Sequence, residues 1–258
     1  MGSDPVPIDR RTLLRAGLAA LAVAGCAAPV RRAARTSPSA ATTSTPTAGA
    51  GATASPRPKV ATEVGHASRT QSAVALTFHG AGDAATAKSV LGELERADAR
   101  GTVLAVGSWL EAKPRMARRI LDGGHELGNH TLNHRAMRRL GSAAAYREIA
   151  GCAAVLSRLT GSPGRWFRPS GTQHTTAVIR RAAAEAGYDR CLSYDVDSLD
   201  WTDPGPSVVV RTVLGAARGG SVVSMHLGHQ GTVAALPHII EGLVRRGLRP
   251  VTVSELFA

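Results

Sequence analysis

Cysteine, aromatic residues and long apolar runs are all scarce in this chain. Of its 258 residues, three are cysteine and 3% are Phe, Trp or Tyr. Past the N-terminus no apolar stretch approaches the ~20 residues that a membrane-spanning helix needs, so any attachment to a membrane has to come from the N-terminus. Also missing is a Gly-x-Gly-x-x-Gly motif after the first strand-like segment, which excludes a dinucleotide site. The 43% hydrophobic content supports one sizeable core, or one core plus tails.

A net charge of +12 first suggests nucleic acid, but its distribution argues against that partner. Residues 1–69 and residues 70–258 each carry a net +6. The excess in the second part is dispersed as pairs such as Arg118-Arg119, Arg138-Arg139, Arg180-Arg181 and Arg245-Arg246. Such pairs are solvated helix faces, not the concentrated stripe of a nucleic-acid binder. Attraction to an anionic cell-wall polymer or lipid surface stays open.

The first 26 residues read as an export signal. A twin-arginine pattern, Arg10-Arg11-Thr12-Leu13-Leu14, precedes a short apolar run from Ala16 to Ala24. That run has the length of a signal-peptide core and is too short for a stable anchor. It ends at Val23-Ala24-Gly25-Cys26, which resembles a bacterial lipobox, with Cys26 as the lipidated residue. Residues 27–69 are rich in Ala, Thr, Ser, Pro and Gly. They cannot bury enough apolar surface to order themselves and read as a disordered tether. The expected protein is therefore a monomer held at the cell surface by a lipid anchor. Two cysteines remain, Cys152 on a helical stretch and Cys191 on a strand-like one. They are either a disulfide of an oxidising compartment or two small buried thiols.

From residue 70 onward, short apolar runs alternate with helical patterns. Strands are expected at 74–78, 102–106, up to 127, 165–167, 191–194, 221–225 and 248–253. Helices are expected at 84–97, 114–121, 143–159, 176–186, 207–217 and 233–246. Repeated β-then-α units imply a parallel sheet covered by helices, an α/β fold. Seven strands in about 190 residues suit a small or incomplete (β/α) barrel better than a full eightfold one, which takes about 250. An open doubly wound sheet is the other candidate.

In a parallel barrel the chemistry sits at the C-terminal strand ends. Here His79 and Asp83 follow the first strand, and His130 and His134 the third. Arg168-Pro169 follows the fourth, Asp195, Asp197 and Asp200-Trp201 the fifth, and His226 and His229 the sixth. One such residue is unremarkable, but five strand ends so equipped point to a site. His130 and His134 are four apart, so on a helical turn they would face one side and could grip a divalent metal.

These residues, in this order, resemble the polysaccharide deacetylases, the NodB-homology domains of the family-4 carbohydrate esterases, over about residues 70–258. His130-Thr131-Leu132-Asn133-His134 is similar to that family's metal-binding His-Ser/Thr-x-x-His. Arg168-Pro169 is similar to a motif whose arginine orients the catalytic base. Asp197-Ser198-Leu199-Asp200-Trp201 is similar to Asp-x-x-Asp-Trp, whose second aspartate tunes the catalytic histidine and whose tryptophan lines the groove. Met225-His226 is similar to the motif of the general acid. The resemblance implies a distorted barrel of about seven strands and metal-dependent removal of N-acetyl groups from an amino-sugar polysaccharide, with zinc as the expected ion.

One motif departs from that pattern. Where the family has Thr-Phe-Asp-Asp-Gly, with a base and then a metal ligand, this chain has Thr77-Phe78-His79-Gly80-Ala81-Gly82-Asp83. The leading expectation is that the two glycines let Asp83 fold back as the third metal ligand, leaving His79 as base. In a second arrangement His79 is the ligand and Asp83 the base. In a third the site has lost catalysis and the protein is a glycan-binding lipoprotein. An esterase removing O-acetyl groups needs the same machinery and also fits. The N-terminal reading has its own test: Cys26→Ala should move the protein from the membrane fraction to the medium or block its processing, whereas unchanged membrane association would contradict it.

Overall fold

The computed structural model describes residues 60–258, so the export signal and most of the tether, residues 1–59, lie outside the described residues. The elements run β1 (Thr62–Val64), β2 (Ala73–Gly80), α1 (Ala84–Arg96), β3 (Thr102–Ala105), α2 (Gly107–Ala112), α3 (Arg115–Asp122), β4 (Glu126–Asn129), α4 (Ser142–Thr160), α5 (Ala177–Glu185), β5 (Arg190–Leu192), β6 (Val196–Asp197), α6 (Pro206–Ala216), β7 (Val222–His226), α7 (Gln230–Arg245), β8 (Arg249–Val251) and α8 (Val253–Leu256). No helix among the described residues is long and apolar enough to cross a membrane.

Every strand ladder is parallel. The larger sheet has the order β4-β3-β2-β7-β6, with β8 beside the start of β2, and β1 pairs β5 separately. Phe167 stitches the two together through single bridges to Asn129 and Cys191. The sheet curls without closing, a distorted and incomplete (β/α) barrel, as the sequence pattern implied. Strand β2 is central. Its run Ala-Val-Ala-Leu-Thr-Phe is almost wholly buried, because helices cover one face and the barrel interior the other.

The alternation of side chains sorts these faces. Leu76, Phe78, Val103, Ala105, Val223 and Met225 pack in the core between sheet and helices. Ala75, Leu104, Trp166, Leu192 and Val222 fill the interior. Thr77 and His79 share the interior parity of Ala75, and Ser224 and His226 share that of Val222. At the C-terminal ends this interior column therefore turns polar.

Three expectations need correction. The tether does not reach residue 69: Ala61 is buried and Thr62–Val64 is a strand on β5, so residues 61–69 already belong to the folded domain. Residues 165–167 do not form a strand, since only Phe167 makes bridges. Residues 130–134 are not a helical turn: Thr131 and His134 sit at φ 69° and 55°, and the segment is irregular. The short β1, β6, α2 and α8 escaped the sequence pattern because two to six residues carry too little periodicity. Cys152 and Cys191 are free buried thiols, each pushed up to about 12 by burial.

Candidate metal centre and catalytic pocket

The pairing of β2 with β7 sets the first contact. His79 is in register with His226, so their imidazoles stand side by side, centroids 4.4 Å apart and 14° from parallel. Two residues before His226 and on the same face, Ser224 places its hydroxyl 2.9 Å from His79 Nε2.

The second histidine comes from the end of β4. This strand runs two residues further than expected, to Asn129, and the chain then breaks from the sheet. Asn129 holds the break. Buried, it donates to the Ile149 carbonyl and the Tyr188 hydroxyl, and its Oδ1 accepts from the Thr131 N–H. Buried Glu148 on α4 accepts from the Asn133 backbone and side chain at 2.8 and 3.0 Å. These bonds stabilise the two left-handed residues that carry the loop, which cost free energy for a side chain with a Cβ. The result puts the His130 and His134 rings 5.0 Å apart. Asn129, Glu148 and Ser224 were missed by sequence reasoning. Asn129 at least adjoins the motif, whereas a glutamate on a helix otherwise reads as a solvated residue.

His130 is fully buried, with Nδ1 2.9 Å from the Arg168 carbonyl and Nε2 2.8 Å from His79 Nδ1. One nitrogen each from His79, His130 and His134 lies within 4.8 Å of the others. Burial holds all three imidazoles below their ordinary value of 6.5, with repulsion from neighbouring histidines acting in the same direction. They are therefore neutral lone-pair donors near pH 7. Three neutral imidazoles converging on one point, one of them oriented by a backbone carbonyl, fit a divalent metal such as zinc.

Asp83 is not part of this group, and its expected role as a ligand is corrected. Its carboxylate caps α1, accepting from the Ala85 and Thr86 N–H groups at 2.8 and 3.0 Å. Those bonds to Thr86 and Ala85 hold the exposed carboxyl below its usual range. Turning it inward would uncap the helix. The glycines do something else than expected: Gly82, at φ 97°, packs so closely on Gly228 that a Cβ would lie 2.7 Å from its Cα. Gly80, which replaces the family's ligand, faces away from the pocket, since a Cβ there would meet Ala105 and Val103 in the sheet–helix core.

Arg168 is buried and donates to the Leu192 and Ser193 carbonyls, with Tyr194 under its guanidinium at 5.3 Å. Burial lowers it to about 9. Among the described residues it pairs with no carboxylate, and its Nη1 has no partner. Buried Asp200 accepts from both the His226 N–H and His226 Nδ1 at 2.8 Å, with Thr232 donating to the same carboxylate. Burial opposes the Asp200 charge, but the His226 bonds outweigh it and its carboxyl titrates below the usual range. The free Nε2 of His226 is left for the pocket. That cavity measures about 520 Å³ and is lined by His79, His134, Tyr194, Asp197, Trp201 and His226 among others. Trp201 stands at its lip, 53% exposed. Asp195 is structural, paired with Arg69 and the Val222 N–H, and His229 pairs with Asp203 beside the pocket.

A family model described as polysaccharide deacetylase matches residues 66–191. A peptidoglycan-N-acetylglucosamine deacetylase of Bacillus cereus is 34% identical over 71% of this chain and 87% of its own length. Among solved structures, a CE4 family pseudoenzyme from Bacillus anthracis is 25% identical, with a TM-score of 0.72, covering 76% of this chain and 69% of that one. A mutant of it described as having restored enzymatic activity is 26% identical at the same TM-score, covering 76% of this chain and 71% of that one.

The neutral histidines carry a consequence for stability. Their folded pKa values are depressed, so between those values and 6.5 the unfolded chain binds more protons than the folded one. The metal-free protein should keep its full stability above pH 6.5 and lose it on acidification, by up to about 1.4 kcal/mol per pH unit for each proton refused. Urea unfolding in chelator at pH 7.5 and pH 5 checks this. A His130→Gln variant should show a smaller difference, because one of the depressed imidazoles is gone, but not a vanishing one, because His125, also lowered by burial, still contributes. Equal pH dependence in the two proteins would contradict it.

Proposed function

This chain belongs to the polysaccharide deacetylase family, hydrolases of carbon–nitrogen bonds, and on that premise we propose that it removes N-acetyl groups from an amino-sugar polysaccharide, releasing acetate. The observation that carries the reading is that the His79-His130-His134 cluster and the Asp200-His226 pair meet at one open pocket, which His79, His134 and His226 line. The substrate class best supported is the N-acetylglucosamine of peptidoglycan, the substrate in the name of the Bacillus cereus relative. The tether and Cys26 would hold the domain at the cell surface, close to such a polymer.

His79, His130 and His134 would hold a divalent ion, zinc by their donor chemistry. Such an ion supplies Lewis acidity towards a carbonyl oxygen and makes a neighbouring water more acidic. His79 thus takes the place of the third ligand, not that of the base. With Asp83 capping a helix, the proton-handling residue is His226. Asp200 occupies its Nδ1 and fixes its orientation, so Nε2 takes the water's proton and returns it to the leaving nitrogen. Trp201 offers an apolar wall to the sugar ring or acetyl methyl group. Arg168 closes the floor beneath the triad through its carbonyl and braces the strand end at Leu192 and Ser193.

The second reading is a glycan-binding protein with impaired catalysis. It is favoured by the missing carboxylate base and by the likeness to a pseudoenzyme. Acetate release from peptidoglycan, chitin oligomers and an O-acetylated polysaccharide, with and without a chelator, separates the readings. Release from the N-acetylated polymers that stops with chelator and returns with zinc is expected. A His226→Ala enzyme should be slower by about 10²–10⁴-fold, the usual contribution of a general acid–base. Binding of glycan without release supports the second reading, and release only from the O-acetylated polymer makes the protein an esterase.

A further inference from the structure

Hydrogen-bond accounting across the pocket fixes the position of each proton. His130 Nδ1 faces the Arg168 carbonyl at 2.9 Å, and a carbonyl only accepts, so Nδ1 carries the proton. A histidine that is to serve as a ligand is neutral, which leaves His130 Nε2 as a bare lone pair. His79 Nδ1 lies 2.8 Å from that lone pair and so donates to it. The same holds for His79, so its Nε2 is bare, and the hydroxyl 2.9 Å away, that of Ser224, donates to it. The metal-free order is Ser224 O–H to His79 Nε2, His79 Nδ1–H to His130 Nε2, and His130 Nδ1–H to the Arg168 carbonyl.

In this order the two lone pairs that converge are not both free. His79 Nδ1 carries a proton, and His130 Nε2 is occupied in accepting it. For His79 Nδ1 to ligate, its proton has to leave and reappear on Nε2, the other tautomer. The group facing Nε2 then has to accept instead of donate. A hydroxyl can do both by rotating, whereas a carbonyl or an ammonium can do only one. Ser224 is 1% exposed yet lines the open pocket, so its hydroxyl is the fixed partner of Nε2 and can exchange protons with the solvent there.

We propose that Ser224 is a positioning residue for the metal centre, the hydroxyl that lets His79 change tautomer and become its third ligand. The proposal rests on reading the three histidines as a metal site. It goes beyond that reading by placing a switch in a residue that belongs to none of the recognised motifs. Zinc entry moves one proton within the His79 ring, from Nδ1 to Nε2 by way of solvent, and reverses the sense of the Ser224–His79 hydrogen bond. No proton is gained or lost overall.

The test uses zinc alone and the full chain. Competition against a chromophoric chelator gives the zinc affinity of wild type, Ser224→Ala and Ser224→Thr, and nitrogen-15 imidazole NMR reports the His79 tautomer before and after loading. Ser224→Ala should bind zinc at least about tenfold more weakly, the usual scale for removing an outer-shell partner. Ser224→Thr, which keeps the hydroxyl, should stay near wild type. In the wild type, His79 should be protonated at Nδ1 without zinc and at Nε2 with it. If the wild type binds zinc while Ser224→Ala binds it equally, or while the His79 tautomer does not change on loading, the role of Ser224 is overturned and the metal site stands. If the wild type does not bind zinc, the metal reading falls and this proposal with it. Should Ser224→Ala fail to fold, the wild-type tautomer measurement decides alone.

Discussion

The buried imidazole of His130 donates its Nδ1 proton to the backbone carbonyl of Arg168 at 2.9 Å, and the rest of the pocket is arranged around that bond. It turns His130 Nε2 towards His79 and couples the end of β4 to the loop after Phe167. It also braces the junction of the two parts of the sheet, where Phe167 bridges Asn129 and Cys191. The backbone thus orients the ligand with a group that cannot ionise. Such an arrangement is insensitive to pH and salt in a way that an exposed carboxylate partner would not be.

The exchange of a carboxylate for His79 changes the electrostatics of the whole pocket. A site of three imidazoles is neutral, so it leaves the full charge of a bound cation uncompensated and the cation a stronger Lewis acid towards the substrate carbonyl. The same exchange strands Arg168. Its guanidinium remains buried beside Tyr194 with two carbonyls as partners and one nitrogen unsatisfied, which accounts for its lowered pKa. A buried cation without a carboxylate costs free energy. Its carbonyl to His130 and its grip on Leu192 and Ser193 offset part of that cost.

Much of this was legible in the sequence because it rests on periodicity and strand ends. The strands at 73–80 and 222–226 and the long helix at 142–160 follow apolar patterns that the fold had to bury. The C-terminal ends of β2, β4, β6 and β7 collected His79, His130, Asp200 and His226 as a barrel requires. What was not legible depends on local conformation. Asp83 has the same sequence neighbourhood whether it ligates or caps, and only the start of α1 at Ala84 decides the matter. His130 and His134 meet through two left-handed residues and a buried glutamate, not through a helical turn, although the spacing suits both. Ser224 looked like any small residue of a buried strand until the register placed it under His79.

The central claim is that three histidines and no carboxylate of the chain hold one metal. X-ray absorption at the zinc edge of the loaded protein reads the ligand set directly. The account predicts one zinc per chain with the multiple-scattering signature of three imidazoles, reduced to two in a His79→Ala protein. A wild-type spectrum with two imidazoles and a protein carboxylate, unchanged by His79→Ala and altered by Asp83→Ala, would contradict it.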